Sequence, residues 1–265
     1  MTAATLTVAV EGVGIDAPGL AGWPAACVAL GASPPPSPHA AAAGVVSRSA
    51  EHRRASQTTR LAGKTAREAC AMAGRDPATL RPVFASSHGD TAIIDYLCAT
   101  LASDPLSLSP TQFHNSVHNA PSGGWTIETG CHAPAVAISA GTASFATGLL
   151  EAAAQVVADD EPVLLVVYDI AAPGLIADAV PIHAPFATAL VLAPLGDVPP
   201  MATLAVRWIG GGALPTDPPA DFRALAAANP SAAALPLLAA LAMREPRHIV
   251  LDAAPAGAVT VGVRP

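Results

Sequence analysis

Aromatic residues are scarce, at 4% of the chain, and charged residues make up only 12%, about half the usual share of ~25%. The shortage of charge, with 52% hydrophobic residues, excludes intrinsic disorder, which needs the opposite balance. It also excludes a coiled coil, whose flanking positions must be charged. With so few rings, the core has to be built from Ala, Val, Leu and Ile; alanine alone is about a quarter of the chain, well above average usage. Small side chains let elements approach closely. So little charge also points to a large buried surface, part of it against a partner. A length of 265 residues fits one large domain or two small ones.

Lysine is nearly absent: Lys64 is the only one, and the net charge is −7. That excludes a general nucleic-acid binder, which needs a basic surface. The charge is uneven, however. Residues 48–81 carry seven arginines and Lys64 against three acids, a net +5, leaving −12 on the rest. Such a segment is either a docking face for an acidic partner or a solvated helix face. The four cysteines have no C-x-x-C spacing and read as reduced, mostly buried thiols of a cytosolic protein. The first ten residues lack the basic start of a signal peptide. Two uncharged stretches, 129–150 and 224–243, contain prolines and read as buried interior elements, not as the ~20-residue apolar run of a membrane span. Glycine-rich phosphate loops are missing, and so are H-E-x-x-H and G-x-S-x-G.

What is present is an alternation of strands and helices, which argues for a layered α/β fold. Residues 5–11 alternate as a strand, which Gly12 and Gly14 are expected to end. Residues 33–38 (SPPPSP) predict a rigid polyproline-like loop. Residues 49–74 predict a long helix with an alanine face, closed by Gly74. Strands are expected at 81–86, 135–139, 162–168, 186–192, 202–208, 248–252 and 258–263. Asp90 is placed to cap a helix over 91–101, and residues 140–142 form a small-residue turn before a helix reaching about 158. The run 162–168 is fully apolar, as in a strand buried on both faces. A proline-broken Ala/Leu helix covers parts of 221–243.

Candidate chemistry is sparse. His88, His114, His118 and His132 fall close together with Cys131, but a zinc site has a weaker claim here than hydrogen-bonding histidines, and no metal or other cofactor is expected. At the turn after 135–139, Thr142 or Ser144 is a conceivable nucleophile if a histidine lies nearby; both are equally suited to capping the next helix.

Four blocks then occur in order: FASSHGD (84–90), LSPTQFHNSVHNAPSGGWTI (108–127), ISAGTASFATGLLEA (138–152) and PFATALVL (185–192). Together they resemble the β-ketoacyl synthase-like N-terminal domain found in short chain-length-factor subunits of aryl-polyene and xanthomonadin-type pathways. The resemblance spans about residues 5–195, and SVHNA is its most specific block. It implies a thiolase-like layered fold: one ketosynthase half at 1–195, and a truncated second half at 196–265 packed on the same domain. In an active ketosynthase, the helix dipole activates a cysteine at the N-terminus of the central helix. Here that position falls on Gly141. Two histidines of the later half are also lacking, since 196–265 carries only His248. The resemblance therefore implies a subunit silent alone, which forms a heterodimer with an active ketosynthase supplied by acyl carrier protein. It places Phe113, His114, Ser116, His118, Asn119 and Phe145 at the interface or acyl tunnel. Arg53, Arg54, Arg60, Lys64 and Arg67 become candidates for carrier-protein docking. Two alternatives remain: an acyltransferase or ketosynthase in its own right, using Thr142, Ser144 or Cys131, and a scaffold for other biosynthetic proteins.

Overall fold

The structure, a computed structural model, describes residues 4–32, 55–196, 200–211, 213–253 and 257–265. The expected loop at 33–38 lies outside these, as do Arg53 and Arg54. In chain order the elements are β1 (Leu6–Ala17), β2 (Leu20–Ala21), α1 (Trp23–Ala29), α2 (Gln57–Ala73), β3 (Arg81–Ala85), α3 (Thr91–Ser103), α4 (Pro110–Asn115), α5 (Ala120–Thr129), β4 (Val136–Ile138), α6 (Ser144–Asp159), β5 (Val163–Asp169), β6 (Phe186–Ala193), β7 (Ala202–Gly210), α7 (Arg223–Ala228), α8 (Leu235–Met243), β8 (Arg247–Asp252) and β9 (Gly257–Arg264). The nine strands join in the order β4-β3-β5-β6-β1-β7-β9-β8, with β2 on β1. β4 and β5 both run parallel to β3, which lies between them. The crossover through α6 therefore skips one strand. All other pairings are antiparallel.

β5 is buried along its whole length, and its side chains alternate between two cores, as the two-residue period of a strand requires. Val163, Leu165 and Val167 enter the larger core with α6, α8 and the C-terminal strands. Leu164, Val166 and Tyr168 enter the smaller one with the alanines of α2. The result is a layered α/β fold. α8 is apolar all round and buried from Leu235 to Ala242, as a helix inside a core must be. No helix of the described residues is long and apolar enough to cross a membrane.

Two expectations need correction. β1 does not stop at Gly12 but continues to Ala17. It pairs with β7 through Leu6–Val10, shifts register between Val10 and Gly12, and runs on with β6. Its glycines are there for α2. A Cβ on Gly12 would lie 2.1 Å from the Ala69 carbonyl oxygen, and one on Gly14 2.1 Å from that of Thr65. The helix backbone rests directly on the strand, an approach only glycine permits. The second correction concerns the helix expected over 49–74: residues 49–54 lie outside the described residues, and among the described ones α2 starts at Gln57. Ser56 is extended and its side chain accepts from Thr59 N, which caps the helix. Gly74 closes it in the left-handed conformation, as expected.

Glu68, on α2, pins β1 and α1. Its carboxylate accepts from Ile15 N and Trp23 N. Burial raises its pKa above the usual 4.5, against the lowering effect of those bonds and of Lys64. A raised folded value means that the native state holds this proton more tightly than the unfolded chain does. Its stabilisation is complete below the unfolded pKa and is lost as pH rises through the folded one. Urea unfolding followed from pH 4.5 upward should show stability falling with pH in the wild type and a flatter profile in Glu68→Gln; equal slopes would refute this assignment.

Candidate functional site

The turn between β4 and α6 is built from small residues. Ala140 leads into Gly141, whose φ of +55° lies in the region that favours glycine. A tight 3-10 turn, Gly141–Ala143, then feeds α6. A Cβ on Gly141 would meet nothing within 4 Å, so this position faces open space at the head of a 16-residue helix.

The three alternative nucleophiles stand differently. Ser144 is buried, and its hydroxyl accepts from Ala140 N (3.0 Å) and donates to the Gly141 carbonyl (2.8 Å). It is a latch of the turn. Cys131 is buried and its thiol donates to the Leu80 carbonyl at 3.3 Å. Thr142 is exposed and borders a recess of about 250 Å³ lined also by Thr216, Pro230, Pro236 and Asp252. Among the described residues, no histidine lines that recess. Of the remaining thiols, burial pushes Cys27 up to about 11 and Cys70 up to about 12, so neither supplies thiolate at neutral pH.

The turn is held from behind by a network that sequence reasoning missed. Asp169, the last residue of β5, is fully buried. Its Oδ1 accepts from Ser86 Oγ (2.8 Å) and Ser87 N (2.9 Å), and its Oδ2 from Ser87 Oγ (2.9 Å) and Ser231 Oγ (2.6 Å). Its backbone carbonyl accepts from Asn229 Nδ2 at 3.0 Å. One carboxylate thus joins the loop after β3 to the segment leading into α8. Ser139 Oγ donates to the Ser87 carbonyl and Ser86 N to the Ile138 carbonyl, so the network reaches the residues just before Gly141. The signals for it were a lone acid closing an apolar strand, a Ser–Ser pair and an Asn–Pro–Ser run.

The histidine-rich block divides between two short helices. His114 lies in the last turn of α4, and His118 in the turn before α5, so they do not share a helix face. His118 is half-buried, with its Nε2 2.9 Å from the Ile138 carbonyl oxygen. Ser116 donates to the Phe113 carbonyl. Asn119 precedes α5 but makes no side-chain cap; its carbonyl accepts from Gly123 N and Ser122 Oγ. Phe113 is 64% exposed, and Val117, Ile127 and Leu106 are exposed as well. Phe145 is different: at 1% exposure it belongs to the main core, on the buried face of α6, and is not part of the surface that bears Phe113. Among the described residues, no three His, Cys, Asp or Glu side chains gather as a metal site.

The basic helix is largely neutralised by distant acids. Arg67 pairs with Glu128 (2.8 Å), Lys64 with Asp16 (2.6 Å), and Arg75 with Glu11 through two bonds. Arg67 is mostly buried, whereas Arg60 and Lys64 are exposed. Arg60 donates to the Ala55 carbonyl.

A strand, a tight glycine turn, a long helix and a second strand parallel to the same neighbour make a βαβ unit in a layered α/β protein. The family described as "Beta-ketoacyl synthase, N-terminal domain" matches residues 33–243, and the chain belongs to it. Among solved structures, it is similar to a ketosynthase in complex with its chain length factor from Xenorhabdus doucetiae, at 24% identity and a TM-score of 0.68, covering 98% of this chain and 100% of that one. It is also similar to the ishigamide ketosynthase/chain length factor (13% identity, TM-score 0.70, 97% and 99% covered). A third is a type II PKS acyl-carrier protein in complex with its ketosynthase bound to the hexaketide (11% identity, TM-score 0.72, 98% and 99% covered). At these identities the likeness establishes the fold. No curated protein matches the chain in sequence.

Proposed function

We propose that this chain is a non-catalytic subunit of the chain-length-factor kind, which pairs with an active β-ketoacyl synthase in polyketide-type biosynthesis and acts on chains delivered by acyl carrier protein. The observation that carries this reading is Gly141: the position that resembles the nucleophile's has the backbone of a sharp turn at a helix head and no side chain. Ser144 and Cys131 are both engaged in local hydrogen bonds, which counts against the self-sufficient acyltransferase. The pairing draws support from the edge strand β4, whose one strand partner among the described residues is β3, and from the exposed apolar side chains of Phe113 and Ile127. Exposed apolar side chains of this size are what an interaction surface would cover. The two distant matches to ketosynthase/chain length factor structures agree with it. Residues 196–265 are assigned as a remnant of the second half, since β7 pairs with β1 and β7, β8 and β9 share the core of α6.

On this reading Phe113, His114, Ser116, His118 and Asn119 lie toward the partner, where Phe113 and Ser116 set product length by bulk. Ser116→Trp should shorten the products made with the partner and Phe113→Ala should lengthen them, read by mass spectrometry of released chains. Unchanged lengths in both would favour the scaffold. Of the five docking candidates, Arg60 and Lys64 are exposed, Lys64 in an ion pair with Asp16, Arg67 is mostly buried against Glu128, and Arg53 and Arg54 lie outside the described residues.

A further inference from the structure

His118 differs from the residues around it. Phe113 and Val117 are exposed, whereas both nitrogens of the His118 ring face the protein. Nε2 is 2.9 Å from the Ile138 carbonyl oxygen. A carbonyl only accepts, so Nε2 carries the ring hydrogen and donates it, which leaves Nδ1 as the bare nitrogen of the neutral ring. Nδ1 faces Gly89: a Cβ on that glycine would lie 3.2 Å from Nδ1 and 3.9 Å from the His118 Cα. Gly89 is buried, and its φ of +69° lies in the region that favours glycine.

These contacts close a ring. The Ile138 carbonyl also accepts from Ser86 N at 3.1 Å, so its two lone pairs are filled, one from the end of β3 and one from the turn before α5. Ser86 Oγ accepts from Gly89 N at 2.9 Å and donates to Asp169. Gly89 in turn backs the imidazole. The ring matters because β4 has little else to hold it. It is three half-buried residues long, and β3 is its one strand partner among the described residues. An element with few buried contacts and an open backbone edge opens easily, so a side-chain donor at its end counts for more than the same bond would inside the sheet.

We infer that His118 is a positioning residue. As the Nε2-protonated tautomer it clasps the carboxyl end of β4, three residues before Gly141, and so sets the edge strand in the form it presents to a partner. The role toward the partner rests on the pairing proposed above; the clasp itself does not.

Nitrogen-15 NMR of the full wild-type chain reads the tautomer. At alkaline pH, where imidazole is neutral, His118 should show a protonated Nε2 and a bare Nδ1; the opposite tautomer, or the averaged signals of a free ring, would overturn the inference. Hydrogen exchange reads the clasp. His118→Ala should speed exchange of the Ser86 N–H roughly fivefold while amides in the middle of β5 keep their rates. His118→Gln, whose side-chain amide can donate to Ile138, should restore most of the protection. Equal acceleration throughout the sheet, or no rescue by glutamine, would show a general packing role and overturn the positioning one. Mixed with an active ketosynthase, His118→Ala should raise the dissociation constant of the heterodimer severalfold, and His118→Gln less. Unchanged affinity beside a loosened Ser86 would overturn the role toward the partner. A wild-type chain that forms no heterodimer would sink the pairing instead, and the two readouts on the lone chain would still decide the clasp.

Discussion

Asp169→Ala should lower the melting temperature by about 12 °C, the consequence of losing about 4 kcal/mol in a domain of this size. The carboxylate only accepts, and four donors converge on it. Alanine leaves three hydroxyls and one backbone N–H in a fully buried place. Each orphaned group costs about 1–3 kcal/mol, offset in part by hydroxyls that rotate toward other acceptors. Asp169→Asn separates the causes. Its oxygen still accepts from Ser86 and Ser87, and its amide can donate to the rotated hydroxyls of Ser87 and Ser231. It should recover more than half of the lost stability. Differential scanning calorimetry of both variants is the check; an alanine variant that melts within 2–3 °C of the wild type would show that the network contributes little. The loss should also be felt at Gly141, because the same network holds Ser139 and Ile138.

Gly14→Ala should be nearly as harmful, by about 3 kcal/mol and about 8 °C, although it adds a single methyl group. That methyl would lie 2.1 Å from the Thr65 carbonyl oxygen and 3.1 Å from Ala69 N. Both are helix backbone atoms, so no rotamer change makes room and α2 has to lift from the sheet. The retreat would also loosen the bonds of Glu68 to Ile15 and Trp23. Gly74→Ala is the contrast, since nothing lies within 4 Å of its Cβ; its cost is only the backbone strain of a left-handed alanine, about 1 kcal/mol. If the two variants melt alike, steric contact with α2 is not what fixes glycine in β1.

These expectations show where the sequence is legible. Caps are local: Asp90 needs only the next three residues to cap α3, and Gly74 only its own backbone freedom, so both were readable. The buried strand β5 was readable as well, because a continuous apolar run has few other homes. Gly12 and Gly14 misled because a glycine in a strand looks the same whether the chain turns there or another backbone lies across it. Here the reason sits more than fifty residues away, at Thr65 and Ala69. Asp169 was invisible for the same reason: its partners come from positions 86, 87 and 231, and no spacing announces them. The charge of residues 48–81 could be counted, but not its availability, since Asp16 and Glu11 of β1 and Glu128 of α5 meet Lys64, Arg75 and Arg67. Phe145 was expected at the interface or tunnel; the helix period puts it with Leu149 and Ala152 on the buried side of α6.

The recognisable family blocks were the exception to this locality, for they mark a whole fold at once. They located Gly141, and the geometry of the turn gives that residue its physical sense. At φ +55° a cysteine would be strained by about 1–2 kcal/mol, yet it would have room. Gly141→Cys should therefore fold, melt a few degrees lower and remain without condensing activity alone, since among the described residues no histidine lines the adjoining recess.

The central claim, a silent subunit that works through a partner, is tested most directly by native and intact-mass spectrometry of the chain mixed with a candidate active ketosynthase and acyl-loaded carrier protein. The account predicts a one-to-one heterodimer in which the acyl adduct sits on the ketosynthase and this chain keeps its unmodified mass. An acyl adduct on this chain, or a chain that stays monomeric beside every ketosynthase offered, would contradict it.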